Sequence, residues 1–200
     1  MRKLLVATRN KGKIEEIRSE LKDLAFNVVG LEEAGVPKDF DVEEPAMTME
    51  GNAIIKAMAY GRKTGLLTLS EDAGLEVDAL DGRPGVFSAR YAPGTDEDRY
   101  RKLLSEMAGV PDEKRGAQFR AVVALYDPNN EKIRTCEGIY RGVIIREPRG
   151  TNGFGYDPVF YNADLKKTNA EMSREEKNAV SHRGMALRKA KTILDDEFTK

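Results

Sequence analysis

Leu4-Leu5-Val6-Ala7-Thr8-Arg9-Asn10-Lys11-Gly12-Lys13 decides the fold class. A short apolar run gives way to a polar turn, after which Ile14, Ile17, Leu21 and Leu24 recur at helical spacing. The unit is a buried strand, a tight turn and a helix predicted over Lys13 to Leu24. Phe26 to Val29 reads as a second strand, and Pro37 to Pro45 as an acidic connector. A helix is predicted from Thr48 to Thr64, apolar nearly all round. Turned through about 100° per residue, it brings Asn52, Lys56 and Lys63 onto one narrow face, so Lys56 is read as more than surface charge.

Leu66 to Ser70 is predicted as a strand that stops at Glu71-Asp72-Ala73-Gly74, before a turn-rich loop at Asp81-Gly82-Arg83-Pro84-Gly85. Thr95 to Ala108 makes an amphipathic helix with acids in its first turn. Ala117 to Tyr126 and Lys132 to Ile145 form long strands joined by Asp127-Pro128-Asn129-Asn130, a hairpin. Ser173-Arg174-Glu175-Glu176 is a capping box opening the last helical region, whose later part carries an apolar stripe of Ala186, Ala190, Ile193 and Leu194. No repeat or low-complexity tract intervenes, and the pattern is α/β with a mixed sheet, expected to form a single domain over 1–200.

Composition narrows the function classes. The 200 residues are 40% hydrophobic and 34% charged, long enough to bury a core without staples. A net charge of -1 leaves no electrostatic footprint for nucleic acid or an anionic membrane, so neither is an expected partner. Cys136 stands alone, which excludes an intrachain disulfide and suits a reducing compartment. The apolar run at Met1 to Ala7 is too short for a signal or membrane helix, and the expected location is cytoplasmic.

Four clusters could carry chemistry. Thr8 to Lys13 lies between a strand and a helix start, where backbone N–H groups and the helix dipole attract phosphate and Lys11 and Lys13 add positive charge. Its spacing is neither a Walker loop nor a dinucleotide fingerprint. Glu43-Glu44, Glu71-Asp72, Glu76 and Asp78 are carboxylates of the hard-oxygen kind Mg²⁺ takes, and Ala73-Gly74 allows a ligand close to Asp72. Gly150-Thr151-Asn152-Gly153-Phe154-Gly155-Tyr156-Asp157-Pro158 sets a ring between glycines; Phe154 either plugs the core or presents its face to a flat ligand. In Ser181-His182-Arg183-Gly184, a continuing helix would turn His182 and Arg183 inward with Ala186. Lys177, taken alone, reads as a solvated charge.

In order, these pieces resemble the inosine triphosphate pyrophosphatase family along essentially the whole chain. The matching motifs are Thr8-x-Asn10-x-x-Lys13, Glu43-Glu44, Glu50-x-Asn52-Ala53-x-x-Lys56-Ala57 and Glu71-Asp72-Ala73-Gly74-Leu75. They continue with Pro84-Gly85-x-x-Ser88-Ala89-Arg90-Tyr91, Gly153-Phe154-Gly155-Tyr156-Asp157-Pro158, Glu176-Lys177 and Ser181-His182-Arg183-Gly184. Glu71 stands where an aspartate is common. Ala73 replaces a common serine, leaving only a backbone contact there.

The resemblance implies an elongated mixed central sheet with two α/β lobes and a nucleotide cleft between them, Mg²⁺ dependence with one or more ions, and a homodimer. It implies hydrolysis of ITP, dITP and XTP to the monophosphate and pyrophosphate. Asp72 would be the catalytic acid, as base or as orienter of a metal-bound water, with Glu44, Asp72 and a further candidate, Glu71, as metal ligands. Thr8, Arg9, Asn10, Lys11, Gly12, Lys13, Lys56 and Ala73 would meet the phosphates. Phe154, Gly155, Tyr156 and Asp157 would line the base site, with Lys177, His182 and Arg183 around the purine edge. A Maf-type pyrophosphatase of modified or pyrimidine triphosphates and a non-catalytic nucleotide sensor are the alternatives.

Overall fold

The computed structural model describes Met1 to Phe198. Its strands form one mixed sheet in the order β2-β1-β3-β4-β5-β6-β7. These are β1 (Arg2–Val6), β2 (Phe26–Gly30), β3 (Leu67–Val77), β4 (Gly116–Asp127), β5 (Lys132–Ile144), β6 (Phe160–Asn162) and β7 (Lys167–Thr168). β1 runs parallel to both β2 and β3, with Leu4 opposite Val28 and Leu67, whereas β6 is antiparallel to β5 and β7. The helices are α1 (Lys11–Glu20), α2 (Met49–Thr64), α3 (Asp96–Glu106), α4 (Arg174–Val180) and α5 (His182–Phe198).

Side-chain caps decide where most of the helices begin. Asn10 accepts the Lys13 N–H, so α1 starts at Lys11, before the predicted Lys13, and the apolar period through Ile17, Leu21 and Leu24 is buried as expected. Thr48 caps α2, which ends on left-handed Gly65. Thr95 with Asp98 and Ser173 with Glu176 form capping boxes on α3 and α4. The last helical region is broken at Ser181, so His182 opens α5.

One sequence expectation is corrected. β3 does not stop at Ser70 but continues to Val77, which puts Glu71, Asp72 and Ala73 inside a strand. Small residues and acids do not end a strand that a neighbour carries on: the β1 register with β3 stops at Leu69, and β4 flanks β3 on its other side. β6 and β7 were not foreseen, being too short to show a period.

The chain divides into two compact units. The first comprises 1–72, 121–138 and the segment from Gly184 onward, and Leu5, Ala7, Val29, Leu31, Val36 and Tyr60 form a core within it. The second comprises 73–120 and 139–183, with a core that includes Leu75, Val77, Leu103, Phe119, Tyr140, Tyr156 and Phe160. In the second unit Arg115 is buried, and among the described residues its guanidinium donates to backbone carbonyls. Its Nε donates to the Ile144 carbonyl at 2.7 Å and its Nη1 to the Met107 carbonyl at 2.7 Å, tying the end of α3 to β5. Burial lowers its pKa. Arg115→Met is expected to destabilise the fold by about 2–4 kcal/mol, because buried carbonyls lose their donor. Urea unfolding followed by circular dichroism checks this, and Arg115→Lys should recover only part, since one ammonium cannot replace a fork of donors.

Candidate functional site

The first unit gathers the acidic and cationic residues of the early motifs. On α2, Lys56 Nζ donates to Glu44 Oε2 at 2.9 Å and to the Glu71 carbonyl at 3.1 Å, and stands 3.9 Å from Asp72 Oδ1. A single ammonium thus holds the acidic connector against the acids of β3. Alternation along β3 sends Glu71 and Asp72 to opposite faces. Glu71 is buried and pairs with Lys13 at 3.3 Å, while Asp72 meets Asn52 and Lys56.

Asn52, which the sequence placed beside Lys56 without assigning it a task, joins this cluster. Buried to 1% exposure, it accepts the Ala46 N–H at 2.9 Å and donates to Asp72 Oδ2 at 3.4 Å. It therefore couples the segment carrying Glu44 to Asp72. Gly51 makes that approach possible, since a Cβ there would come within 2.7 Å of the Ala46 Cβ. Burial pushes the Asp72 carboxyl above the ordinary carboxylate range; Glu44 adds to the rise, and Lys56, the Asn52 hydrogen bond and Lys13 oppose it.

The turn between β1 and α1 is organised by its own side chains. Thr8 Oγ1 accepts the Asn10 N–H at 3.2 Å, and Asn10 Oδ1 accepts the Lys13 N–H at 3.1 Å, leaving Lys11 and Gly12 exposed in the first helical turn. Arg9 donates through Nη2 to the carbonyls of Pro37 at 2.8 Å and Phe40 at 2.9 Å, which anchors the connector to this turn.

The second unit holds the late motifs. Phe154 is 57% exposed, so its ring is presented and does not plug the core. The loop beneath it is tightly held. Asp157, 2% exposed, accepts the Phe154 N–H at 2.8 Å and Lys177 Nζ at 2.5 Å on one oxygen, and Asn169 Nδ2 at 3.1 Å on the other. Gly153 has φ +78°, and a Cβ there would fall 2.1 Å from Asp157 Oδ2, so only glycine allows this closure. Tyr156 is buried with its hydroxyl donating to the Ser88 carbonyl at 2.9 Å, and burial raises its pKa.

Lys177 is far from a solvated charge: besides Asp157, its Nζ sits 4.8 Å from the Phe154 ring centroid. His182 turns inward at the start of α5, stacked on Phe119 with centroids 5.0 Å apart and planes 13° from parallel. Arg183 is buried beside it in sequence, 8% exposed. Phe154, Asp157 and Lys177 are thus brought together by direct contacts, and Asp96, which carried no sequence sign, joins them through the Gly155 N–H at 2.7 Å. Cys136 takes no part; burial pushes its thiol up to about 11. Among the described residues no helix is long and apolar enough to cross a membrane.

Comparison with known proteins identifies the family and the fold. The model of the Ham1 family matches residues 4–193. The chain is 50% identical over 195 residues to a dITP/XTP pyrophosphatase of Desulforamulus reducens, covering 96% of each sequence. It is 50% identical over 189 residues to a dITP/XTP pyrophosphatase of Geobacter sulfurreducens, covering 94% of each. Among solved structures it is similar to a HAM1 protein from Coxiella burnetii, with TM-score 0.91 and 42% identity over 98% of this chain and 100% of that one. The Staphylococcus aureus Ham1 protein gives TM-score 0.89 and 37% identity with the same coverage.

Proposed function

As the chain belongs to the Ham1 family, we propose that it hydrolyses dITP, XTP and ITP to the nucleoside monophosphate and pyrophosphate, keeping deaminated purines out of nucleic acids. The observation that carries the reading is the Lys56 ammonium held between Glu44 and the half-buried Asp72. Such a group is costly to assemble for structure alone, because burial disfavours the Asp72 charge.

The same residues fit a Mg²⁺ requirement. Among the described residues no three His, Cys, Asp or Glu side chains cluster as a metal cage. Glu44 and Asp72, both beside the Lys56 ammonium, are hard carboxylates of the kind that suits Mg²⁺, which takes one or two carboxylates and fills its shell with water and substrate phosphates. Glu44 and Asp72 would hold the ion; Glu71, committed to Lys13, supports the turn. When bound, Mg²⁺ supplies positive charge to the phosphate oxygens.

The chain's own groups do the remaining work. Lys13, Lys56 and the first-turn N–H groups of α1 bind the triphosphate. Asp72 would take a proton from the attacking water or hold that water in line for attack. Water oxygen bonds to the α-phosphorus, the α–β bridging P–O bond breaks, and pyrophosphate leaves with that oxygen. In the second unit Phe154 stacks on the purine, and Lys177, His182 and Arg183 offer donors to the 6-oxo edge, which adenine's amino group cannot satisfy. The proposal includes a homodimer, checked by light scattering, and a cytoplasmic location.

Product chromatography tests the reaction. dITP should yield dIMP and pyrophosphate with no dIDP, in a reaction abolished by chelating Mg²⁺. Stepwise dIDP and orthophosphate would reject attack at the α-phosphorus. Preferential turnover of UTP or TTP would reject the purine assignment, and binding without turnover would reject an enzyme.

A further inference from the structure

We propose that Asp96, the first residue of α3, is a positioning residue for base recognition, which it serves by fixing the aim of the Phe154 ring. The proposal rests on the reading of Phe154 as the ring that stacks on the base. With the residue 57% exposed, the Phe154 ring is held by little packing beyond the Lys177 ammonium 4.8 Å from its centroid. Its direction must come from the backbone on either side of its Cα. Both flanking peptide N–H groups are captured by carboxylates: Phe154 N–H by Asp157 Oδ2 at 2.8 Å and Gly155 N–H by Asp96 Oδ2 at 2.7 Å. These two bonds fix the two peptide planes that set where the Phe154 Cβ points. Asp157 lies in the loop itself, whereas Asp96 reaches it from 59 residues away and attaches it to a separate helix.

Asp96 is itself oriented. Arg99, one turn into α3, donates through Nη1 to its other oxygen at 2.5 Å and is itself held by Nη2 to the Gly94 carbonyl at 3.1 Å, so the carboxylate is braced. Gly155 has φ +63°, a left-handed conformation that needs no side chain but does need a fixed partner to persist as a single state. Asp96 acts here through the Gly155 N–H. Its effect is preorganisation: a ring already aimed costs less ordering when the base arrives.

The chain has no tryptophan, which provides a direct readout. In a Phe154→Trp background, time-resolved fluorescence anisotropy of the single indole reports its mobility without any substrate. Asp96→Ala should increase the amplitude of fast motion, and Asp96→Asn, which keeps an oxygen acceptor for the Gly155 N–H, should restore most of the order. In the Phe154 background Asp96→Ala should raise KM for dITP about tenfold while kcat changes less than about twofold, again with recovery in Asp96→Asn. Thermal unfolding checks that each variant is folded. Should Asp96→Ala fail to fold, Arg99→Gln loosens the same carboxylate and should move both readouts in the same direction.

Unchanged indole mobility in the folded variants, or an Asp96→Asn variant as disordered as Asp96→Ala, would overturn the proposal. Increased mobility with an unchanged KM would overturn the reading of Phe154 as the stacking ring, and the recognition role of Asp96 with it.

Discussion

Asp72→Asn is expected to lower kcat for dITP by roughly 10³-fold or more, and at neutral pH to melt at a higher temperature than the parent protein. The first effect follows from removing the charge that would hold the ion and take the proton, with side-chain shape retained. The second follows from the raised pKa. Burial favours the protonated form of Asp72 in the folded state, so the native protein binds this proton more tightly than the unfolded chain. Stability is therefore lost as pH rises from the ordinary carboxylate range through the raised native value, and the whole penalty is present above it. Asparagine removes that penalty at neutral pH, and the difference should vanish in acid, where both states are protonated. Steady-state kinetics and calorimetry across pH check the pair of outcomes. A folded Asp72→Asn with near-parental rates would remove Asp72 from the reaction. A lower melting temperature at neutral pH would show that the contacts to Lys56 and Asn52 outweigh desolvation.

Arg183→Ala should lower kcat/KM for ITP by roughly ten- to a hundredfold, the loss of a charge-assisted hydrogen bond of about 1.5–3 kcal/mol, while ATP is affected much less. The ITP/ATP ratio then collapses. Phe154→Ala removes a surface that every purine uses and should depress both substrates by similar factors. Arg183 is buried, so Arg183→Lys serves as the folded control: it keeps the charge, loses the planar fork, and should retain the Ala variant's loss of selectivity with a smaller loss of stability. Kinetics of the variants on both nucleotides, with a melting curve for each, decide it. An unchanged ITP/ATP ratio in Arg183→Ala would take Arg183 out of the specificity site.

Local signals carried much of the molecule. The strand and helix around Leu4 and Ile17, the caps at Thr48, Thr95 and Ser173, and the β4–β5 pair joined after Asp127 are written in short stretches, because a period or a capping side chain acts within one turn or strand. The ordered motifs likewise named the acids, lysines and ring from which both groups are built, and the family with them. The continuation of β3 through Glu71-Asp72 was not legible, since a strand's end depends on the neighbours that pair with it rather than on its own residues. Asn52 was half legible: its helical register put it beside Lys56, but its bond to Asp72 spans 20 residues.

The sequence by itself determined most of the helices and the longer strands, which chemical groups they carry and that Phe154 sits free of flanking Cβ atoms. Only the tertiary structure decided that Lys56 stands between Glu44 and Asp72, that Asp157 is spent on Lys177 and the Phe154 N–H, that Arg115 binds carbonyls, and that Asp96 grips Gly155. The physical reason is range. Propensity and capping act within a few residues, whereas these contacts are closed by sheet pairing and core packing between segments whose separation leaves no periodic trace.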